Sequence, residues 1–245
     1  MKIALASTLV KDRDVAYNTS VMIRTIEACK GKADMVVFGE SVLQGFNCLD
    51  WVYSTDKKIA VLANGPEISA IAEAAKCYSV AVSFGYIEKD GESLYSSQIV
   101  LDERGELLHN YRRISAGWKN YWLTDNHYKE GSCFSSFVYS GKRFAIGLCG
   151  DLWIDGKPEE MKSLGADIVL WPVYCDFDPD EWNGTVKFEY AQQASLCGET
   201  VLYVNPVCND ASAADRATGG AALLQGGSIT AEFPAGLPGL LFVEL

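Results

Sequence analysis

The stretch Lys142-Arg-Phe-Ala-Ile-Gly-Leu-Cys149-Gly-Asp151-Leu-Trp153 climbs through an apolar run to a cysteine and then breaks at Gly-Asp. A short apolar run closed by glycine is the pattern of a buried strand. Its C-terminal end carries Cys149, and open α/β sheets place their ligands at such ends. A thiol there is held rigidly while its sulfur faces outward. A buried cysteine that packs as a small hydrophobe fits the same spacing. The choice between the two depends on residues elsewhere in the chain.

Working outward, the same kind of run recurs at Ile3 to Leu9, Ala33 to Phe38, Val80 to Phe84, Ala166 to Trp171 and Thr200 to Asn205. Helical periodicity separates them. It runs from Asp14 or Asn18 to about Cys29, from Pro66 to Tyr78, from Glu159 to Leu164, and from Thr185 to Cys197. Strand–helix–strand spacing of this kind suits parallel crossovers. The middle of the chain is different: Leu94 to Leu101, Leu107 to Tyr111, Phe137 to Tyr139 and Phe144 to Leu148 read as strands joined by turns, with Glu88 to Glu92 as a hairpin turn. Ala213 to Gly227 reads as a Gly/Ala-rich loop leading to the last strands. No repeat or linker divides the chain, so residues 1–245 are expected to form a single domain.

The run from Ala33 ends at Gly39-Glu40, which puts a carboxylate at a strand end as well. Such a group is costly unless it is paired or used, although a helix-capping or loop acid fits the position too. The loop from Ser41 to Trp51 reads as a pocket wall. Further on, Tyr111-Arg-Arg-Ile-Ser-Ala-Gly-Trp118-Lys119 gathers two arginines and a lysine among aromatic residues. A solvated basic loop, or arginines paired to the surplus of acids, is the simpler account of that cluster.

Totals restrict the chemistry. Apolar residues make up 49% and charged residues 22%, as in ordinary globular proteins, and the net charge is −11. With no basic block, neither nucleic acid nor a membrane is an expected partner. No apolar run approaches a spanning length, and the faintly leader-like start is followed by Lys11-Asp-Arg-Asp14, so it reads as the first strand. The eight cysteines include no Cys-x-x-Cys pair, which suggests reduced thiols in a cytoplasmic protein. Only two histidines are present, His109 and His127. Neither a metal nor a cofactor is expected, and a Cys–His or Ser–His–Asp mechanism would have to use one of those two.

Taken together, these segments resemble the nitrilase, or carbon–nitrogen hydrolase, superfamily along nearly the whole chain. Val36-Val-Phe-Gly-Glu40 is similar to its glutamate segment, with Gly39 where proline is usual. Gly147-Leu-Cys149-Gly-Asp151 with Gly165-Ala-Asp-Ile-Val-Leu-Trp-Pro172 matches its nucleophile segment. Glu189 to Asn205 is similar to its helix-then-strand ending in asparagine, and Gly219-Gly220 with Gly226-Gly-Ser228 to its glycine-rich C-terminal region. The resemblance implies an α/β fold in a four-layer α-β-β-α sandwich, two mixed sheets with helices outside, often assembled as a homodimer or higher homo-oligomer.

It also implies a cysteine nucleophile, a glutamate base and a lysine that supports charge on the substrate oxygen, acting on a small amide or nitrile. Glu40 and Cys149 fill the first two places. The third departs from the pattern, because the family's Tyr-Arg-Lys stands here as Tyr111-Arg112-Arg113. Either Arg113 or Lys119, six residues on, is then the cation, and arginine's planar fork is not equivalent to an ammonium. The family's second glutamate falls on Thr124, with Asp125 beside it as a possible orienting residue. Trp51, Trp118, Trp153 and Trp171 are candidate pocket walls or core. An amidase working through a thioester is the first reading. A non-catalytic relative that binds a small amide or carboxylate, or serves as a partner subunit, and a redox-sensing thiol protein are the alternatives.

Overall fold

The structure is a computed structural model and describes residues 1–245. In chain order the elements are β1 (Lys2–Ser7), β2 (Leu9–Val10), α1 (Val15–Cys29), β3 (Met35–Phe38), α2 (Tyr53–Asp56), α3 (Pro66–Tyr78), β4 (Ala81–Asp90), β5 (Ser93–Leu101) and β6 (Leu107–Arg112). They continue with β7 (Ser136–Tyr139), β8 (Lys142–Ile146), α4 (Lys157–Ser163), β9 (Ile168–Pro172), α5 (Pro179–Glu181), α6 (Lys187–Cys197), β10 (Thr200–Val204), β11 (Val207–Cys208), β12 (Gly219–Gln225), β13 (Ser228–Ala235) and β14 (Gly239–Glu244). One six-stranded sheet has the order β14-β1-β3-β4-β5-β6 and the other β13-β12-β10-β9-β8-β7. A short parallel pair, β2 with β11, ties them together.

Both sheets are mixed, and for one reason. Where a helix intervenes the strands pair in parallel, as β1–β3, β3–β4, β8–β9 and β9–β10 do. Where a turn intervenes they pair antiparallel, as β4–β5–β6 and β12–β13 do. Alternation along each strand sets the layers. Ile3, Leu5, Met35 and Val37 face the core shared with the second sheet. Ala4, Ala6, Val36 and Phe38 face outward against α1 and α3, whose Met22, Ile26, Ile68 and Ile71 cover them. Each large side chain so buried contributes about 1.5–3 kcal/mol. The helix ends follow local chemistry. The Asp14 carboxylate accepts the Tyr17 N–H at 3.0 Å to start α1, and Pro66 occupies the first turn of α3. The expected α-β-β-α sandwich is the observed architecture.

Three segments differ from the sequence reading. The strand expected to stop at Gly85 continues to Asp90 as β4. Gly85 is there because the chain at Glu40 crosses it closely: a Cβ on Gly85 would lie 2.7 Å from the Glu40 Cα. Within the Ala213–Gly227 stretch expected to be loop, β12 is a buried strand beside β10. Its small residues mark tight packing, since a Cβ on Gly219 would meet Ser7 Oγ at 2.8 Å. The helix expected from Thr185 starts earlier, with a π-helical turn at Trp182–Val186 that leads into α6. That turn puts Trp182 inside, stacked on Tyr203 with ring centroids 4.5 Å apart.

Burial of thiols gives a stability prediction. Burial raises Cys29 from 9.0 to about 11 and Cys197 to about 12, and raises Cys48 further still. Groups raised on folding contribute stability that is whole below the unfolded value and is lost as pH climbs toward the folded one. Denaturant midpoints are therefore expected to hold up to about pH 9 and fall above it, each thiol adding up to about 1.4 kcal/mol per pH unit. Urea titrations at several alkaline pH values check this. A midpoint that stays flat to pH 11 contradicts it.

Candidate active site

Glu40 follows β3, and Cys149 follows β8 by three residues. The two strands lie in different sheets, and their ends are brought together where the sheets face each other. The Glu40 N–H donates to the Val173 carbonyl at 3.1 Å, just beyond β9. Gly39 permits this approach: a Cβ there would meet Pro206 Cδ at 2.5 Å and the Val173 oxygen at 2.9 Å. Cys149 starts a 3-10 turn in the left-handed region, at φ +51°. A non-glycine residue held there stores roughly 1–3 kcal/mol of strain, a pattern concentrated at functional sites. Its carbonyl accepts the Trp171 indole N–H at 2.8 Å, which pins the turn to β9.

Arg113 joins the two. Its Nη1 donates to Glu40 Oε1 at 2.8 Å, and its Nε to Ser115 Oγ at 2.7 Å. Ser96 Oγ donates to the same Glu40 oxygen at 2.9 Å. Glu40 Oε2 is buried with no partner. Arg113 Nη2 makes no hydrogen bond within the chain and rests against two glycines: Cβ atoms built on Gly117 and Gly150 would lie 3.0 and 2.9 Å from it. Side chains at either position would displace the guanidinium. Burial works against the charge on Arg113, but Glu40 above all, then Cys149 and Asp151, hold its pKa above the ordinary value.

Asp151 fixes the floor. Its carboxylate accepts from Tyr111 OH at 2.6 Å, from the N–H groups of Ile114 and Ser115 at 3.1 and 2.7 Å, and from the Leu148 N–H at 3.0 Å. One side chain thereby links the segment that carries Arg113 to the turn that carries Cys149. Burial raises its pKa despite these bonds. The Cys149 thiol is raised well above 9.0, first by the neighbouring Cys175 side chain and then by burial, with Arg113 pulling the other way.

Of the remaining sequence candidates, Trp153 and Trp171 border this group, Trp153 ending the turn that Cys149 starts, and the others are held by other partners. Lys119 is committed elsewhere: its Nζ donates to the Tyr128 carbonyl and pairs with Glu130 Oε1, both at 2.7 Å. Asp125 is exposed and holds His127, and it lines a surface hollow of about 490 Å³ together with Lys119. Trp118 is core, packed with Cys48, Leu49, Ile87, Leu94 and Tyr128. Trp51, partly exposed, packs at the edge of that same cluster. Trp153 is half-exposed and covers Trp171 and Tyr190, at centroid distances of 5.9 and 5.1 Å. Ser96, Ser115, Asp151 and Cys175 touch the group and were not singled out. Asp151 had a signal, standing inside the quoted nucleophile segment; a serine in β5 has none.

Comparison with known proteins fits this geometry. The model of the Carbon-nitrogen hydrolase family matches residues 2–209. An (R)-stereoselective amidase of Pseudomonas sp is 27% identical over 172 residues, 69% of this chain and 59% of that protein. A formamidase of Bacillus cereus (strain B4264) is 26% identical over 164 residues, 64% of this chain and 47% of that protein. The chain thus spans about half to three fifths of the length of these curated relatives. Among solved structures, an amidase from Nesterenkonia sp. AN1 superposes with a TM-score of 0.78 at 20% identity, covering 100% of this chain and 92% of that one. A mutant of that amidase with acrylamide added at its active-site cysteine gives 0.78 at 19%, covering 100% and 93%. With the family model matched over most of its length and the same fold throughout, this chain belongs to the carbon–nitrogen hydrolase family, the nitrilase superfamily.

Proposed function

We propose that the chain hydrolyses the carbon–nitrogen bond of a small amide through a thioester on Cys149. The observation that carries this reading is the buried Glu40–Arg113 pair set beside that cysteine. Glu40 takes the thiol proton as sulfur attacks the carbonyl carbon, which is the work a histidine does elsewhere. Its unpartnered Oε2 is the oxygen available for it. Negative charge then develops on the carbonyl oxygen. Arg113 Nη2 and the Gly150 N–H, which follows the nucleophile, are the donors proposed to receive it. Glu40 returns its proton to the departing amine. Water then attacks the thioester, with Glu40 again as base, and the acid leaves.

Amide is preferred to nitrile because the relatives and solved structures are named as amidases and formamidases. Arg113, not Lys119, is proposed as the cation because its guanidinium is the one paired to Glu40. Short aliphatic amides are expected to release ammonia, and Cys149→Ala is expected to lower that release by at least about 10³-fold. Ammonia release is followed by a coupled assay, and the acyl-enzyme by intact mass. If no amide is turned over while Cys149 still alkylates faster than the other seven cysteines, the site binds rather than hydrolyses.

A further inference from the structure

We propose that Cys149 and Cys175 form a redox-active dithiol, which a peroxide closes to a disulfide and a small thiol reopens. The inference goes beyond hydrolysis and rests on that reading only in taking Cys149 as the accessible nucleophile.

Three observations carry it. First, the two residues sit on adjacent strand ends. β8 and β9 pair in parallel with Ile146 opposite Leu170, and Cys149 and Cys175 are the next residues but a few along each. Strand neighbours lie about 4.8 Å apart. The Cys149 sulfur is 3.9 Å from the carbonyl oxygen of Tyr174, the residue before Cys175. Second, the backbone of Cys175 is clamped. Asn205 accepts its N–H at 3.0 Å and donates to its carbonyl at 2.8 Å, so the second thiol is presented from a fixed base. Third, neither residue is fully buried in the core. Both residues are partly exposed, whereas Cys29, Cys48, Cys197 and Cys208 are buried. Tyr190 OH lies 3.4 Å from the Cys175 sulfur and is placed to donate to it once that sulfur has lost its proton.

The steps balance. Glu40 takes the Cys149 proton, and the sulfur attacks one peroxide oxygen. An S–O bond forms, the O–O bond breaks, and the leaving oxygen departs as water with that proton. The Cys175 sulfur then attacks the sulfenic sulfur. An S–S bond forms, the S–O bond breaks, and hydroxide leaves as a second water with the Cys175 proton. Two sulfurs are oxidised and one hydrogen peroxide is reduced. Without a resolving thiol, a sulfenic acid advances to the sulfinic and sulfonic acids, which small thiols do not reverse. The dithiol therefore protects the nucleophile as it silences it.

The experiment treats the full chain with hydrogen peroxide in several-fold molar excess, maps the peptides, and then adds dithiothreitol. The expected result is a peptide holding Cys149 joined to one holding Cys175, lighter by two hydrogen atoms, with both thiols restored on reduction. In Cys175→Ser, Cys149 is expected to gain two or three oxygens, and reduction should restore none of it. Exposed Cys77 and Cys133 serve as internal controls. The proposal is overturned if Cys149 in the natural chain gains oxygens instead of joining Cys175, or if it pairs with a different cysteine. The natural chain alone decides this, even if the variant folds poorly. The mass readout needs no turnover, so a chain that forms the link and hydrolyses nothing would defeat the hydrolase reading and leave this one standing.

Discussion

Glu40→Gln is expected to lower amide turnover by roughly 10³-fold or more, with the fold retained. The substitution has two effects of opposite sign on Cys149. It removes a negative charge that holds the thiol up, which favours thiolate. It also removes the carboxylate proposed to take the proton. A neighbouring charge of this kind shifts a pKa by on the order of one unit, a tenfold change in thiolate. A positioned general base is worth about 10²–10⁴-fold, so its loss wins. The amine and the hydrolytic water need the same carboxylate, and removing a charge compensates neither. Iodoacetamide labelling at pH 7 is expected to slow as well, by less than turnover does. As pH rises past 9 the variant's labelling should recover toward the natural chain's, because hydroxide then supplies the thiolate. Equal turnover in Glu40→Gln and the natural chain would remove Glu40 from the mechanism.

The fold was legible because hydrophobic period is a local property. Ile3, Leu5, Met35 and Val37 alternate with Ala4, Ala6, Val36 and Phe38, and the two sets do face different layers. Glu40 and Cys149 were legible for a related reason, since each ends an apolar run. Position along a strand, however, says nothing about which loop side chain reaches across. Arg113 and Lys119 are equivalent in sequence terms, and it is the contacts of Lys119 with Glu130 and Tyr128, unreadable in the sequence, that favour the proposed role for Arg113. Asp151 stood in plain view, yet three of its four donors come from the Tyr111–Ser115 stretch, which only folding brings beside it. Gly/Ala content misled at β12 because small residues signal either a loop or a close approach, and the neighbour that distinguishes them, Trp182 against Gly220, is distant in sequence.

Arg113→Met is expected to cost about 3–5 kcal/mol of stability and essentially all turnover. The Arg113 and Glu40 side chains are only 3% and 0% exposed, so removing the cation strands a carboxylate away from water. The reverse deletion is milder. In Glu40→Gln the guanidinium keeps Asp151 as a nearby anion and Ser115 as an acceptor. The double variant Glu40→Gln, Arg113→Met is therefore expected to unfold at a higher denaturant midpoint than Arg113→Met alone, while staying inactive. Arg113→Lys separates charge from shape. Lysine keeps the charge for Glu40 but cannot bond Ser115 and also hold a second N–H against Gly150. It is expected to recover most of the stability and to lose roughly 10²-fold in turnover, the usual size for one oxyanion donor. A midpoint for Arg113→Met equal to that of the natural chain means the pair is not buried as charges, and Arg113 then loses its place as the cation beside Cys149.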